Sequence, residues 1–122
     1  MICGIGTDMI EIRRVEEACG RESFSDYSFT AEERRQSRGR ASFLAGCFTV
    51  KEAVSKCFGT GFSGFGPSDI EVLRDERGKP YVNLYGKAKD LFEEMGGVRI
   101  LVSISDTADY AVGFAVLEGK DH

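Results

Sequence analysis

A carboxylate and an amine lie one helical turn apart in an apolar stretch near the middle of the chain. Glu52 and Lys56 are four residues apart, which places them on one helix face with Cβ atoms roughly 5–6 Å apart. The run Gly59-Thr60-Gly61 follows, so a metal ion and a phosphate could bind at this end of the helix. The alternative is a solvent-exposed Glu–Lys pair on an ordinary helix capped by Gly59, which is a common surface feature.

Two further carboxylates stand at the ends of predicted strands. Asp8 closes the first apolar run, and Asp106 opens a turn after a late one. If the fold brings them to Glu52, two or three carboxylate oxygens plus water suit Mg²⁺. Asp106 before Thr107 is equally a plain turn opener. The run from Gly4 to Asp8, Gly-x-Gly-x-Asp, resembles a phosphate-binding loop only weakly, because the third glycine is missing.

A long central helix must position Glu52 and Lys56. It is predicted from about Arg40 to Phe58, because apolar residues recur there at helical spacing. An earlier helix is predicted from Glu11 to Cys19, and Thr30 begins a capping box that starts another short helix. The apolar face of the central helix is made by Phe43, Leu44, Cys47, Val50, Val54, Cys57 and Phe58.

The rest of the pattern predicts strands, so the fold class is α+β. A largely antiparallel sheet packs against the central helix, and residues 1–122 form a single domain. The predicted order is β-α-α-α-β-β-α-β-β, with a glycine-rich loop over 59–68. The strands cover 2–10, 69–74, 80–85, 99–105 and 110–117, and the last helix covers 87–95.

Composition excludes several classes of protein. The net charge is −4, so the chain as a whole does not bind nucleic acid. A structural zinc site is not expected, because the four cysteines form no C-x-x-C and the single histidine is His122. Three of the four cysteines occupy apolar periodic positions, as reduced thiols do in a cytoplasm. We expect a cytoplasmic protein with no signal peptide and no membrane contact.

Taken together, the motifs resemble the holo-acyl-carrier-protein synthases, the short 4′-phosphopantetheinyl transferases. The resemblance covers essentially the whole chain, in order and at family spacing. It is carried by Gly4-Ile5-Gly6-Thr7-Asp8, Ile10-Glu11-Ile12, Phe43-Leu44-Ala45-Gly46-x-Phe48-x-x-Lys51-Glu52-Ala53-x-x-Lys56-x-Phe58-Gly59-Thr60-Gly61, Asp69-Ile70-Glu71, Gly78-Lys79-Pro80 and Val102-Ser103-Ile104-Ser105.

The resemblance implies an activity. The family moves the phosphopantetheine arm of coenzyme A onto a serine of an acyl carrier protein and releases adenosine 3′,5′-bisphosphate. It implies Mg²⁺ held by Asp8 and Glu52, and Lys56 on the diphosphate of coenzyme A. Glu52, or a metal-bound water, takes the serine proton. Lys51 is expected to be a surface charge. Coenzyme A contacts are implied for Arg40, Lys56, Gly59, Thr60, Gly61 and Thr107, and catalytic roles for Glu52, Lys56 and Asp106.

The resemblance also implies partners. In this family the first helix meets the acidic carrier protein, which corresponds here to the basic patch of Arg13, Arg14, Arg21 and Phe24. The alternative is a solvated helix face, because three glutamates dilute the patch. The family is typically a homotrimer with active sites between subunits. Phe62 and Phe65 would then be buried in a neighbouring subunit or beside the ligand.

Two residues depart from the family pattern. Asp106 stands where the family has histidine, and an ionised aspartate only accepts hydrogen bonds. We expect Asp106 either to become an extra metal ligand or to lower the rate. Cys47 stands where an arginine is common, and either Arg40, seven residues earlier on the same helix face, or the nearby Arg38 is expected to supply the missing charge. The alternative function is a weakly active or inactive homologue that binds coenzyme A or a carrier protein.

Overall fold

A computed structural model describes residues 1–121. His122, the histidine excluded above as a zinc ligand, lies outside the described residues. The elements follow in chain order: β1 (Ile2–Glu11), α1 (Ile12–Cys19), α2 (Glu22–Ser28), α3 (Ala31–Ser37), α4 (Ala41–Cys57), a 3₁₀ turn (Pro67–Asp69), β2 (Ile70–Arg74), β3 (Pro80–Leu84), α5 (Gly86–Glu94), β4 (Gly97–Asp106) and β5 (Tyr110–Gly119).

The strands form two antiparallel sheets. One has the order β1-β5-β4, and the other pairs β2 with β3. In the first sheet Gly113 of β5 lies between Asp8 of β1 and Ile104 of β4. The predicted α+β class, the antiparallel pairing and the long central helix are confirmed. The division into two sheets was not predicted, because strand periodicity does not say which edges pair.

The core lies between α4 and the inner face of the three-stranded sheet. Val50 and Val54 of α4 and Ala115 and Leu117 of β5 are fully buried there. Burying a side chain the size of valine or leucine stabilises the fold by about 1.5–3 kcal/mol. Because α4 is covered on most sides, its pattern is less one-sided than that of a surface helix.

Helix α2 was not predicted. Its sequence has no regular apolar spacing, so tertiary contacts hold it in place. The Phe24 ring lies 6.2 Å from the rings of both Phe29 and Phe48, centroid to centroid. This aromatic cluster fixes α2 against α4.

The four cysteines are free, as the sequence predicted. Cys47 and Cys57 are buried, and burial raises the pKa of their thiols to about 12 and about 11, which makes them unreactive. Cys3 is exposed. Within residues 1–121 no helix is long and apolar enough to cross a membrane.

Candidate active site

Asp8 and Lys56 meet where β1 crosses the last turn of α4. The Lys56 Nζ lies 3.5 Å from Asp8 Oδ1 and donates a hydrogen bond to the Thr7 carbonyl oxygen at 2.8 Å. Asp8 points toward α4 because side chains alternate along a strand, and Gly4 and Gly6 face the same helix. The Lys56 side chain is 52% exposed, so its ammonium group is accessible to a ligand.

The Glu52 carboxyl lies close enough to Asp8 and Lys56 for both charges to affect its pKa. Burial raises the pKa of the Glu52 carboxyl, the negative charge of Asp8 raises it further, and Lys56 acts in the opposite direction. The fold therefore brings together the three residues that the sequence assigned to metal and diphosphate binding. It holds two carboxylates close enough to repel each other.

Three glycines allow α4 to lie directly on the sheet. A Cβ atom on Gly4 would overlap the backbone of Cys57, and one on Gly6 would overlap the carbonyl oxygen of Ala53. A Cβ on Gly113 would lie 2.7 Å from the backbone of Thr49. The weak resemblance of the Gly4–Asp8 run to a phosphate-binding loop was thus misleading. These residues form a strand, and the glycines serve close helix packing.

The glycine loop, residues 59–66, begins beside Lys56. Gly59 and Gly61 adopt φ values of 77° and 64°, in the left-handed region that favours glycine. The Gly59 amide donates to the Lys56 carbonyl oxygen at 3.0 Å, and the Thr60 hydroxyl donates to the Gly61 carbonyl oxygen at 3.0 Å. The predicted coenzyme A residues Gly59, Thr60 and Gly61 therefore lie next to the Asp8–Glu52–Lys56 cluster.

Two phenylalanines of this loop pack within their own chain. The Phe65 ring lies 5.8 Å from that of Phe58 and 5.6 Å from that of Phe62, both edge to face, and Phe65 is buried. Phe65 is therefore buried within its own chain, whereas Phe62 is half-buried, and their place beside a neighbouring subunit or the ligand stays a prediction. Apolar loop residues first cover the end of their own helix when it lies within reach.

Arg40 and Asp106 lie apart from this cluster, in a cleft of about 170 Å³. Asp106 is on β4 and Asp8 is on β1, two strand spacings and two residues apart, or roughly 12 Å. Within one chain the fold therefore does not bring Asp106 to Asp8 and Glu52. The residues lining this arginine cleft are Arg40, Ser42, Phe43, Arg74, Gly78, Pro80, Ile104 and Asp106.

Thr107, another predicted coenzyme A contact, closes the turn between β4 and β5. Its hydroxyl accepts hydrogen bonds from the backbone amides of Asp109 at 3.2 Å and Tyr110 at 3.0 Å. The plain turn that the sequence left as an alternative is therefore present at this position.

Arg74, which also lines the arginine cleft, was not predicted from the sequence. Its guanidinium group lies 4.5 Å from the centre of the Phe43 ring. Its Nε is a buried side-chain atom without a hydrogen-bond partner among the described residues. Nothing in the sequence separates Arg74 from the charged hairpin residues that follow it.

Cys47 faces away from the Asp8–Glu52–Lys56 cluster. Its thiol donates a hydrogen bond to the carbonyl oxygen of Val72 in β2 at 3.4 Å. Arg40 is the N-cap residue of α4, about 10 Å further along the helix axis, and its guanidinium carbon lies 5.5 Å from the centre of the Phe43 ring. Cys47 and Arg40 thus lie on one face of α4, but Cys47 is buried against β2 whereas Arg40 lies at the N-terminal end of the helix.

Lys51 is not a surface charge, and that expectation was wrong. Its side chain is 0% exposed, and its Nζ lies 2.8 Å from Oε2 of Glu33, which is equally buried. The ammonium also donates to the carbonyl oxygens of Pro67 at 3.0 Å and Ile70 at 2.6 Å. Helical spacing placed Lys51 away from Lys56 but could not show that α3 and β2 cover that side.

The predicted carrier-docking residues are partly exposed. Arg13, Arg14 and Arg21 are exposed, and Arg13 Nε lies 2.9 Å from a Glu17 carboxylate oxygen. Phe24 is only half-exposed, because it packs in the aromatic cluster of α2. Among the predicted docking residues, the three arginines are therefore the exposed ones.

The carboxylate pair suits the Mg²⁺ that the resemblance implies. Hard oxygen ligands from one or two carboxylates, completed by water and substrate phosphate, are its usual protein site. Burial is the main cause of the raised pKa of Glu52, and a divalent cation would relieve the second cause, the repulsion by Asp8. No group of three or more His, Cys, Asp or Glu side chains able to hold a metal occurs within residues 1–121, and Asp8 and Glu52 are the two carboxylates that this site offers to a cation.

Comparison with known proteins shows the family of this chain. Residues 4–115 match the model of the 4′-phosphopantetheinyl transferase superfamily. A holo-[acyl-carrier-protein] synthase of Lachnoclostridium phytofermentans is 49% identical over 118 residues, covering 97% of each chain. The acyl carrier protein synthase of Plasmodium yoelii, solved with ADP bound, superposes with a TM-score of 0.88 at 33% identity, over 99% of this chain and 98% of that one. The Bacillus anthracis synthase in complex with coenzyme A gives a TM-score of 0.81 at 35% identity, over 98% and 99%.

The chain belongs to the 4′-phosphopantetheinyl transferase superfamily and, within it, to the holo-[acyl-carrier-protein] synthases. The resemblance read from the motifs is confirmed, and so is the enzyme class.

Proposed function

We propose that this enzyme transfers the 4′-phosphopantetheine arm of coenzyme A to a serine of an apo-acyl carrier protein and releases adenosine 3′,5′-bisphosphate, with Mg²⁺ as cofactor. The observation that carries the proposal is the meeting of Asp8, Glu52 and Lys56 beside the glycine loop. The coenzyme A complex of the Bacillus anthracis relative supports the substrate.

The charged residues of the site have different roles in the transfer reaction. The serine oxygen bonds to the phosphorus that carries the pantetheine arm, while the bond from that phosphorus to the bridging oxygen breaks. Lys56, an exposed ammonium group, neutralises charge on the diphosphate. Glu52, or a water bound to the metal, accepts the serine proton. When bound by Asp8 and Glu52, Mg²⁺ supplies further charge neutralisation.

Mass spectrometry of the intact carrier protein tests the proposal. An apo-acyl carrier protein is incubated with this protein, coenzyme A and Mg²⁺, beside a chelated sample. We expect a phosphopantetheine mass gain that chelation removes. No gain with several carriers, despite measurable coenzyme A binding, would instead favour a binding homologue, the function that the departures at Asp106 and Cys47 leave open.

We propose that the chain assembles as a homotrimer with active sites between subunits. The outer face of the three-stranded sheet supports this, because it exposes several large apolar side chains that would be buried on association. Such an assembly could place the arginine cleft of one subunit against the Asp8–Glu52–Lys56 cluster of another. Light scattering that finds a monomer would remove the proposal. The exposed residues are Ile5, Met9, Leu101, Val112 and Phe114.

The remaining partners and setting follow from the same assignment. We propose that the acidic carrier protein docks on Arg13, Arg14 and Arg21, which are exposed. Residues 1–122 act as one transferase domain, of which the superfamily model matches 4–115. The free thiols support a reducing, cytoplasmic setting.

Arg40→Ala is expected to weaken coenzyme A binding by about tenfold, which corresponds to the loss of one charge-assisted hydrogen bond. The reason is that Arg40 lies in the arginine cleft, whereas Arg34 forms an ion pair with Asp26 at 2.7 Å. Titration calorimetry measures both variants, with Arg34→Ala as the control. Equal losses for the two would contradict the assignment.

Asp106→His is expected to change the rate and its dependence on pH or metal. Asp106 lies in the cleft with Arg40 and Arg74, so its charge opposes anion binding there. Histidine would replace that negative charge with a possible hydrogen-bond donor. Steady-state rates across pH and Mg²⁺ concentration measure this. An unchanged rate, pH profile and metal dependence would show that Asp106 has no part in the reaction.

A further inference from the structure

We propose that Lys51 is a positioning residue for coenzyme A binding, because its buried ammonium group anchors the far end of the glycine loop. The proposal rests on the proposed function for one point only, that residues 59–66 contact coenzyme A. The contacts of Lys51 with the loop exit do not depend on that function, and hydrogen exchange of the loop amides tests them separately.

The Lys51 ammonium group is fully committed to protein partners. Its three protons match three acceptors: a Glu33 carboxylate oxygen at 2.9 Å, the Pro67 carbonyl oxygen at 3.0 Å and the Ile70 carbonyl oxygen at 2.6 Å. It also lies 5.7 Å from the centre of the Phe29 ring. No part of the side chain is exposed, so Lys51 does not touch substrate in this structure.

Two of these acceptors bracket the 3₁₀ turn that ends the glycine loop. Pro67 is the first residue after the loop, and Ile70 begins β2. Lys51 therefore ties the loop exit to the middle of α4, while the loop entry continues directly from the end of α4. The loop itself has little backbone bonding, chiefly from the Ser63 amide to the Gly61 carbonyl oxygen at 3.0 Å. Its placement therefore depends on the packing of Phe65 against Phe58 and on how its two ends are held.

Glu33 makes the anchor rigid. Its two carboxylate oxygens accept hydrogen bonds from the backbone amides of Thr30 at 2.8 Å and Val72 at 2.7 Å, in addition to the bonds from Lys51. The capping box of α3 and the middle of β2 thus hold the carboxylate in place. Because this carboxylate is held in place, the Lys51 ammonium group is held in place as well. The lysine therefore restrains the Pro67 carbonyl at the loop exit.

The anchor is expected to act on binding rather than on chemistry. The position of Glu52 relative to Asp8 follows from the packing of α4 on Gly6 and Gly113, which does not involve Lys51. Loss of Lys51 should therefore loosen the loop and leave the carboxylate pair in place. The kinetic consequence is a higher KM for coenzyme A with kcat little changed.

Lys51→Met is compared with Val15→Ala, a control that lowers stability without releasing the loop, and with Glu33→Gln, which should loosen the anchor only in part. Glu33→Gln weakens the buried pair but leaves the lysine bonded to Pro67 and Ile70. Val15→Ala makes a cavity under α1, away from the loop. For each folded variant we measure global stability by denaturant, hydrogen exchange of the 59–66 amides, and kcat and KM for coenzyme A. If Lys51→Met does not fold, the double variant Glu33→Leu with Lys51→Met replaces it, since it leaves no unpaired charge in the core.

We expect exchange of the loop amides in Lys51→Met to be about tenfold faster than in controls of equal global stability, with KM for coenzyme A about tenfold higher and kcat changed by less than about threefold. Loop exchange and KM equal to those of Val15→Ala overturn the proposal, and so does faster exchange without a change in KM. If the wild-type enzyme transfers nothing to any carrier, the proposed function fails, and loop exchange alone then decides whether Lys51 anchors the loop.

Discussion

Glu52→Gln is expected to lower the rate of phosphopantetheine transfer by about 10²- to 10⁴-fold, the usual contribution of a positioned acid–base group. Glutamine has nearly the same shape but accepts no proton and brings no negative charge to a cation beside Asp8. The Glu52 carboxylate responds to both Asp8 and Lys56, so the change acts at the centre of the site. Rates are measured by the mass gain of the carrier protein, with the exposed Glu94→Gln as the matched control.

The same substitution is expected to stabilise the metal-free protein at neutral pH. The folded-state pKa of Glu52 is raised, chiefly by burial, so the folded protein favours the protonated form. Protonated Glu52 therefore stabilises the folded state relative to the unfolded state. This stabilisation is complete below the unfolded pKa of about 4.3 and is lost as pH rises through the folded pKa. Thermal melts in chelator should give a higher Tm for Glu52→Gln at pH 7, and the difference should shrink toward pH 4.

If Glu52→Gln were inactive only because it misfolds, its Tm at pH 7 would be lower than that of the wild-type protein. A transfer rate within about threefold of wild type, well below the usual acid–base contribution, would exclude Glu52 as the proton acceptor. Comparing the rate and the melt in one variant therefore separates a chemical role from a structural one.

Gly6→Ala is expected to destabilise the fold by about 3 kcal/mol, the upper end for overpacking, and to lower Tm by about 10 °C. The new Cβ atom would overlap the Ala53 carbonyl oxygen and would also lie 3.0 Å from the Lys56 Cβ. Neither strand nor helix backbone can move aside locally, so α4 must shift away from β1. The shift would separate Asp8 from Glu52 and Lys56, and the folded fraction should lose most of its transfer activity.

Gly20→Ala is the control for Gly6→Ala. Gly20 has a φ of −63°, which any residue adopts, and a Cβ there would meet only the Glu17 carbonyl oxygen at 3.2 Å. Little change, or slight stabilisation, is expected from it. If Gly6→Ala keeps the wild-type Tm and activity, the close contact of α4 with β1 is not what positions the site.

Much of this enzyme was readable from residue types at short spacing. Helical spacing predicted α4 to within one residue at each end, and the turn residues Asp75 and Gly78 separated β2 from β3. The motif from Lys51 to Gly61 indicated the family, which the comparisons confirm. Such features are local: they depend on backbone propensity and on side chains one turn apart, which the chain order itself specifies.

The environment of each side chain was not readable in the same way. Lys51 and Lys56 are five residues apart on one helix, yet Lys51 is sealed against Glu33 while Lys56 is half exposed beside Asp8. The difference arises because α3 and β2 cover the side of α4 that carries Lys51. The side that carries Lys56 lies beside β1, the edge strand of its sheet. The separation of Asp106 from Asp8 has the same origin, since it depends on β5 pairing between β1 and β4. Burial and convergence depend on contacts between residues distant in the chain, and no short stretch of sequence encodes them.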